Sequence, residues 1–118
     1  MSEKNTKKQA YRHAPAFMLL FLAMEDQYGA SLLNKLLNEL PYFHTDSAVV
    51  YRSLQELEEN GSVVSYWETN VSGPAKKWYK ITDVGRLQLA EYKTDIEKRK
   101  KNFEYFLAAY ENMFGKTN

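Results

Sequence analysis

Cysteine is absent from the 118 residues, and histidine occurs only twice, at His13 and His44. The first absence excludes disulfides, thiol nucleophiles and zinc held by thiolates. The scarcity of histidine excludes more. Neither His13 nor His44 has acidic partners at a spacing that would complete a metal site or a nucleophile–base pair. No catalytic residue, metal or cofactor is expected. Also missing is an apolar run of the roughly 20 residues that cross a bilayer. The longest, Ala14 to Met24, is followed directly by Glu25, Asp26 and Gln27, without the small-residue cleavage site of a secretory leader. These absences describe a cytoplasmic protein with no membrane partner, of a length that fits one domain.

A strong excess of either charge is missing too: 16 lysines and arginines face 15 acids, for a net charge of +1. What distinguishes the chain is where the cations sit. Residues 1–13 carry four cations against Glu3, and a later turn carries Lys76, Lys77 and Lys80 against Glu68. Residues 14–60 hold only Lys35 and Arg52 against seven acids. A flexible basic arm over 1–13 and a basic tip near 76–80 are compatible with one nucleic-acid-facing side and modest non-specific affinity.

The order of residues from Thr45 to Thr82 is the most informative feature. TDSAVVYRSLQELEENG has helical periodicity, with Val50, Leu54 and Leu57 on the inner face and either Thr45 or Asp46 able to cap it. Gly61 is the expected left-handed stop. Two alternating segments follow, with Val63, Ser65 and Trp67 on one face of the first and Lys77, Tyr79 and Ile81 on one face of the second. Ser72-Gly73-Pro74 makes the turn between them. A helix running into a hairpin with lysines at its tip is the plan of a winged helix, whose helix enters a DNA groove while the hairpin grips backbone.

Upstream, Pro15 suits the first turn of a helix that is apolar nearly all round, which predicts burial, in the core or between subunits. Tyr28-Gly29 ends that helix. A second helix, with Leu32, Leu33, Leu36, Leu37 and Leu40 on one side, ends at Pro41. Downstream, Thr82-Asp83 opens a last helix reaching about Phe114. Leu89, Ile96, Phe103 and Tyr110 recur every seven residues, and Tyr92, Arg99, Phe106 and Met113 form the complementary row. That is a heptad seam interrupted at Arg99. It fits either a second subunit, which the helix's length favours, or the chain's own first helix. The fold expected is mainly α with a small β-hairpin: a winged helix-turn-helix domain over 14–82 and a dimerisation helix over 83–118.

Three segments carry a resemblance to the PadR family of bacterial transcriptional regulators: YGASLLNKL, VVYRSLQELEENG and SGPAKKWYKITDVGRLQL. They cover most of residues 15–90 in the family's order, and the chain is similar to the short type with a single C-terminal dimerisation helix. The resemblance implies a homodimer that represses a nearby gene and releases DNA when an effector binds. There are departures. Tyr28-Gly29-Ala30 replaces the frequent His-Gly-Tyr, and Ala48-Val49 replaces a Gly-Thr pair, so that Val49 lacks a hydroxyl able to touch phosphate or base.

The candidate DNA-binding residues are Thr45, Ser47, Ala48, Tyr51, Arg52, Gln55, Lys76 and Lys77. Arg52 can bond a phosphate or guanine, or pair with Glu56 one turn on. Tyr51 positions backbone or packs partly into the core. Gln55 pairs with adenine or lies too far along the helix. Lys76 and Lys77 suit phosphates. Trp67, Trp78 and Tyr79 read as hairpin packing, and the lysines beside Arg99 as a solvated face. Phe17, Phe21, Leu89, Tyr92, Ile96, Phe103, Phe106, Tyr110 and Met113 are candidates for a dimer interface that also encloses a small aromatic or lipophilic effector. The competing function is a winged helix serving as a protein-interaction module.

Overall fold

The computed structural model describes residues 13–69 and 72–115. Most of the basic arm, residues 1–12, lies outside the described residues, as do Asn70 and Val71 in the hairpin turn. The elements run α1 (Ala14–Met24), β1 (Gln27–Tyr28), α2 (Gly29–Glu39), α3 (Ser47–Glu59), β2 (Val63–Glu68), β3 (Lys76–Ile81) and α4 (Asp83–Phe114).

Helix α1 starts with proline in its first turn and buries Met18, Leu19, Phe21 and Leu22 in the centre of the domain. Its all-round apolarity is thus largely a core property. Leu20 and Met24 remain exposed. In α2, Leu32 and Leu36 are fully buried and Leu33 and Leu40 pack against the core, but Leu37 is exposed. Leu37 lies on the edge of the leucine stripe, about 140° around the helix from Leu32, so the core does not reach it.

Between these helices is an element the sequence pattern did not disclose. Gln27 and Tyr28 form a short strand antiparallel to β3, making a three-stranded sheet of order β1-β3-β2. Two residues are too few to display alternation, so the pair read as a helix break. The hairpin proper pairs Val63 with Ile81 through Glu68 with Lys76. Val63, Tyr79 and Ile81 point from its inner face into the core.

Helix α3 is defined at both ends by hydrogen bonds. Asp46 is the N-cap and accepts from the Val49 amide at 3.0 Å. At the other end Ser62 N–H donates to the Leu57 carbonyl and Gly61 N–H to the Glu58 carbonyl, with Gly61 at φ +82°. This Schellman arrangement turns the chain sharply into β2. The start of α4 is fastened to the same corner. Thr82 N–H donates to the Ser62 carbonyl at 3.0 Å, and the Thr82 hydroxyl accepts from the Gly85 amide. Helix α4 then runs 32 residues, about 48 Å at the α-helical rise. Leu89 and Tyr92 still touch the core, whereas Phe103, Phe106 and Met113 are exposed on the overhang.

Candidate nucleic-acid interface

The exposed side of α3 is a consequence of its buried one. With Val50, Leu54 and Leu57 in the core, Ser47, Ala48, Tyr51, Arg52 and Gln55 are turned to solvent. Arg52 is exposed and forms no ion pair with Glu56 among the described residues, so its guanidinium is available. Acids on this helix are confined to its C-terminal end, at Glu56, Glu58 and Glu59. The N-terminal half carries the one cation, Arg52, while the dipole's positive end is met by the Asp46 carboxylate.

Two neighbouring residues are placed differently from their sequence reading. Thr45 precedes the helix instead of opening its outer face; it is half-buried, its hydroxyl without a hydrogen-bond partner among the described residues. Val49 is buried, on the row of Ser53 and Leu57. The hydroxyl missing at Val49 therefore removes nothing from the outer face, and the departure from a Gly-Thr pair bears on packing.

Tyr51 lies half exposed over the start of α2. A Cβ built on Gly29 would stand 2.4 Å from its ring, so this glycine is what lets the ring lie so low. Next to it a niche of about 370 Å³ separates α3 from the hairpin, lined by Tyr28, Gly29, Tyr51, Trp67, Lys76 and Lys77 among others. The two lysines face opposite ways, as adjacent strand residues must. Lys76 is exposed, with its ammonium 4.6 Å above the Tyr28 ring. Lys77 is half-buried, 3.7 Å from Glu58 Oε1 and within 6 Å of the Trp67 and Tyr79 rings. On the outer face of the sheet, Trp78 packs edge-on against Tyr28 and its indole donates to Glu68.

A second concavity lies between α1 and α4. Its volume is about 470 Å³, and Phe17, Leu20, Leu89, Tyr92 and Ile96 supply an apolar lining flanked by Arg86, Lys93 and Glu97. Burial pushes the Tyr92 phenol above its ordinary pKa. A smaller adjoining space is lined by Phe17, Ile96 and Phe103 with Arg99, whose guanidinium is held by Asp95 at 2.8 Å. Of the candidate interface residues, Phe17, Leu89, Tyr92, Ile96 and Phe103 are thus brought together. Phe21 faces the core, and Phe106, Tyr110 and Met113 lie farther out along α4. Sequence reasoning missed Leu20, which the continuous apolarity of α1 concealed, and Leu107 and Phe114, exposed beside the heptad rows. Among the described residues no three histidine or acidic side chains gather as a metal site, and no helix is long and apolar enough to cross a membrane.

The fold and this surface define a winged helix-turn-helix protein with an exposed third helix, a basic hairpin and a long C-terminal helix. The model of the transcriptional regulator PadR-like family matches residues 18–91, and the chain belongs to that family. A solved structure of a conserved protein of unknown function, described as a potential transcriptional factor, is 28% identical with a TM-score of 0.75. That match covers 86% of this chain and 90% of the other. The PadR-like regulator of Bacillus cereus is 24% identical with a TM-score of 0.72, over 84% of this chain and 96% of its own. Bacillus subtilis PadR, solved in complex with operator DNA, is 21% identical with a TM-score of 0.62, over 67% of this chain and 45% of its own. The family is one of transcriptional regulators.

Proposed function

We propose that the protein is a homodimeric repressor that binds an inverted-repeat operator and is released by a small aromatic or lipophilic effector. The observation that carries the DNA reading is the single surface formed by Ser47, Tyr51, Arg52 and Gln55 of α3 with Lys76 of the wing. The first group suits a major groove and the wing suits the adjacent backbone, with the relative Bacillus subtilis PadR solved on operator DNA as support.

The dimer reading rests on α4. From Ile96 onward its apolar residues are exposed, and the apolar face widens from two heptad rows to three where Leu107 and Phe114 join Phe103, Phe106, Tyr110 and Met113. A second copy related by a two-fold axis would cover this face, each copy's α4 lying along the other's. The groove's volume also falls in the range of small-molecule sites, roughly 300–1,000 Å³. An effector there would act by spreading the seam and changing the separation of the two α3 helices. Its effect on DNA affinity equals its differential affinity for the two arrangements.

The test is electrophoretic shift with the chain's own upstream region against scrambled DNA over a range of salt. A sequence-selective complex is expected. Replacing the two adjacent lysines of the wing, Lys76→Gln with Lys77→Gln, should weaken binding to every sequence and flatten its salt dependence. Absence of any salt-sensitive, selective complex would instead favour the protein-interaction module.

A further inference from the structure

Lys77 has a partner that the DNA reading leaves unused. Glu58, on the last turn of α3, places Oε1 3.7 Å from the Lys77 ammonium, while its other oxygen accepts a hydrogen bond from the Ser65 hydroxyl. Ser65 belongs to β2 and Lys77 to β3. One carboxylate therefore ties α3 to both strands of the hairpin. The Lys77 ammonium also lies 5.9 Å from the Trp67 ring and 5.5 Å from the Tyr79 ring, so its stem is laid along the inner face of the sheet. Lys76, one residue earlier, points to the other face and has no acidic partner among the described residues.

Resting on the DNA-binding reading, we infer that Glu58 is a positioning residue of the interface: it sets the angle of the wing against α3 and withholds Lys77 from the DNA backbone. A lysine whose charge is already balanced by an internal carboxylate neutralises no additional phosphate, and so releases no counterion when the complex forms. Of the two adjacent lysines at the tip of the wing, Lys76 alone is then left to meet the DNA backbone. The arrangement lowers attraction to DNA of any sequence, which leaves discrimination to the exposed side of α3. The chain's near-neutral charge is consistent with a regulator whose non-specific affinity is held down in this way.

The experiment compares the salt dependence of binding to upstream and to scrambled DNA for the wild type, Lys76→Gln, Lys77→Gln and Glu58→Gln. The glutamine at 58 keeps the size and the acceptor for Ser65 while removing the charge. Lys76→Gln should flatten the log–log salt slope by about 0.9, the value of one phosphate contact. Lys77→Gln should leave the slope unchanged. Glu58→Gln should steepen it by about 0.9 and raise affinity for scrambled and upstream DNA alike, roughly eightfold at 0.1 M salt. A Lys77→Gln slope that flattens as much as that of Lys76→Gln overturns the inference, as does an unchanged slope for Glu58→Gln. If the wild type forms no salt-dependent complex, the DNA reading falls, and the withholding role falls with it. Hydrogen exchange in the free protein separates the two failures. Amides of β2 and β3 exchanging about two- to fivefold faster in Glu58→Gln, the equivalent of a part-exposed ion pair, uphold the clamp itself. Unchanged exchange overturns the clamp independently of DNA.

Discussion

Replacing Gly85 with alanine adds one methyl group at the joint between the winged domain and the long helix. Gly85 is helical, so no backbone strain is involved; the difficulty is space. The new Cβ would stand 2.2 Å from the Ser62 carbonyl oxygen and 2.7 Å from Ile81 Cγ1, where ordinary contact begins at 3.4 Å. Ile81 can rotate, but the Ser62 carbonyl cannot retreat freely, because it accepts the Thr82 amide that begins α4. Relief requires α4 to lift from the α3–β2 corner. Overpacking of a tight site costs about 1–3 kcal/mol, and an immovable backbone atom puts this case near the top. Alanine recovers about 1 kcal/mol of helix propensity, leaving a net loss of about 2 kcal/mol. At roughly 4 °C per kcal/mol for a chain of this size, the melting temperature falls by about 8 °C. Circular dichroism at 222 nm reads this directly, at two protein concentrations so that dimer dissociation is separated from unfolding. Gly61→Ala is the control for backbone conformation: it has a positive φ but open space around it, and should cost about 1–2 kcal/mol without disturbing the α4 joint. Gly85→Ala melting within 2 °C of wild type, on the order of 0.5 kcal/mol, would refute the claim that this contact fixes the joint.

Three further outcomes test other parts of the structure. Asp46→Ala removes the N-cap of α3 and should destabilise the protein by about 1 kcal/mol in urea titrations, whereas Asp46→Asn should recover most of that. Gly29→Ala displaces only the end of a flexible side chain, the Tyr51 ring, so thermal stability should change by less than about 1 kcal/mol while DNA affinity falls; equal affinity would remove Tyr51 from the interface. Phe106→Glu puts a charge on the exposed seam of α4, 6.5 Å from the Tyr110 ring, and should convert the particle to a monomer by light scattering with its helix content retained. An unchanged mass would show that the heptad is not the dimer contact.

Much of the framework was legible because it rests on local, periodic signals. Val50, Leu54 and Leu57 repeat at helical spacing, Gly61 marks a left-handed stop, and the heptad of α4 extends over four repeats. What was not legible shares another cause: it concerns residues whose neighbours are distant in sequence. Gln27 and Tyr28 become a strand only because β3 arrives beside them. Phe21 was grouped with Phe17, since a helix apolar all round does not disclose which side meets the core. Lys77 is more instructive. It shares an alternating row with Tyr79 and Ile81, and that row is the buried one. A lysine on a core-facing row must either find an acid or extend past the core's edge. Here it finds Glu58, and the charge count of the turn conceals that two adjacent lysines have different surroundings.

The joint at Gly85 also decides whether two copies could read one operator. Half-sites on successive major grooves lie about 34 Å apart, and the two readers must present themselves near that separation. In this chain the path from the proposed seam to α3 is short: α4 begins at Thr82, Thr82 is bonded to Ser62, and Ser62 closes the C-terminus of α3. No flexible linker intervenes. A tilt of α4 in the proposed seam would therefore tilt α3 as well, and Leu89, Tyr92 and Ile96 line the groove between α4 and α1. The Gly85→Ala protein, where it remains folded at 20 °C, should then bind scrambled DNA as the wild type does, since Arg52 and Lys76 are unchanged. Its affinity for the inverted repeat should fall, because the spacing of the two helices is no longer the one the operator requires. Equal losses on both DNAs would place the damage in the winged domain itself, and no loss on either would mean that the separation is set elsewhere than at this contact.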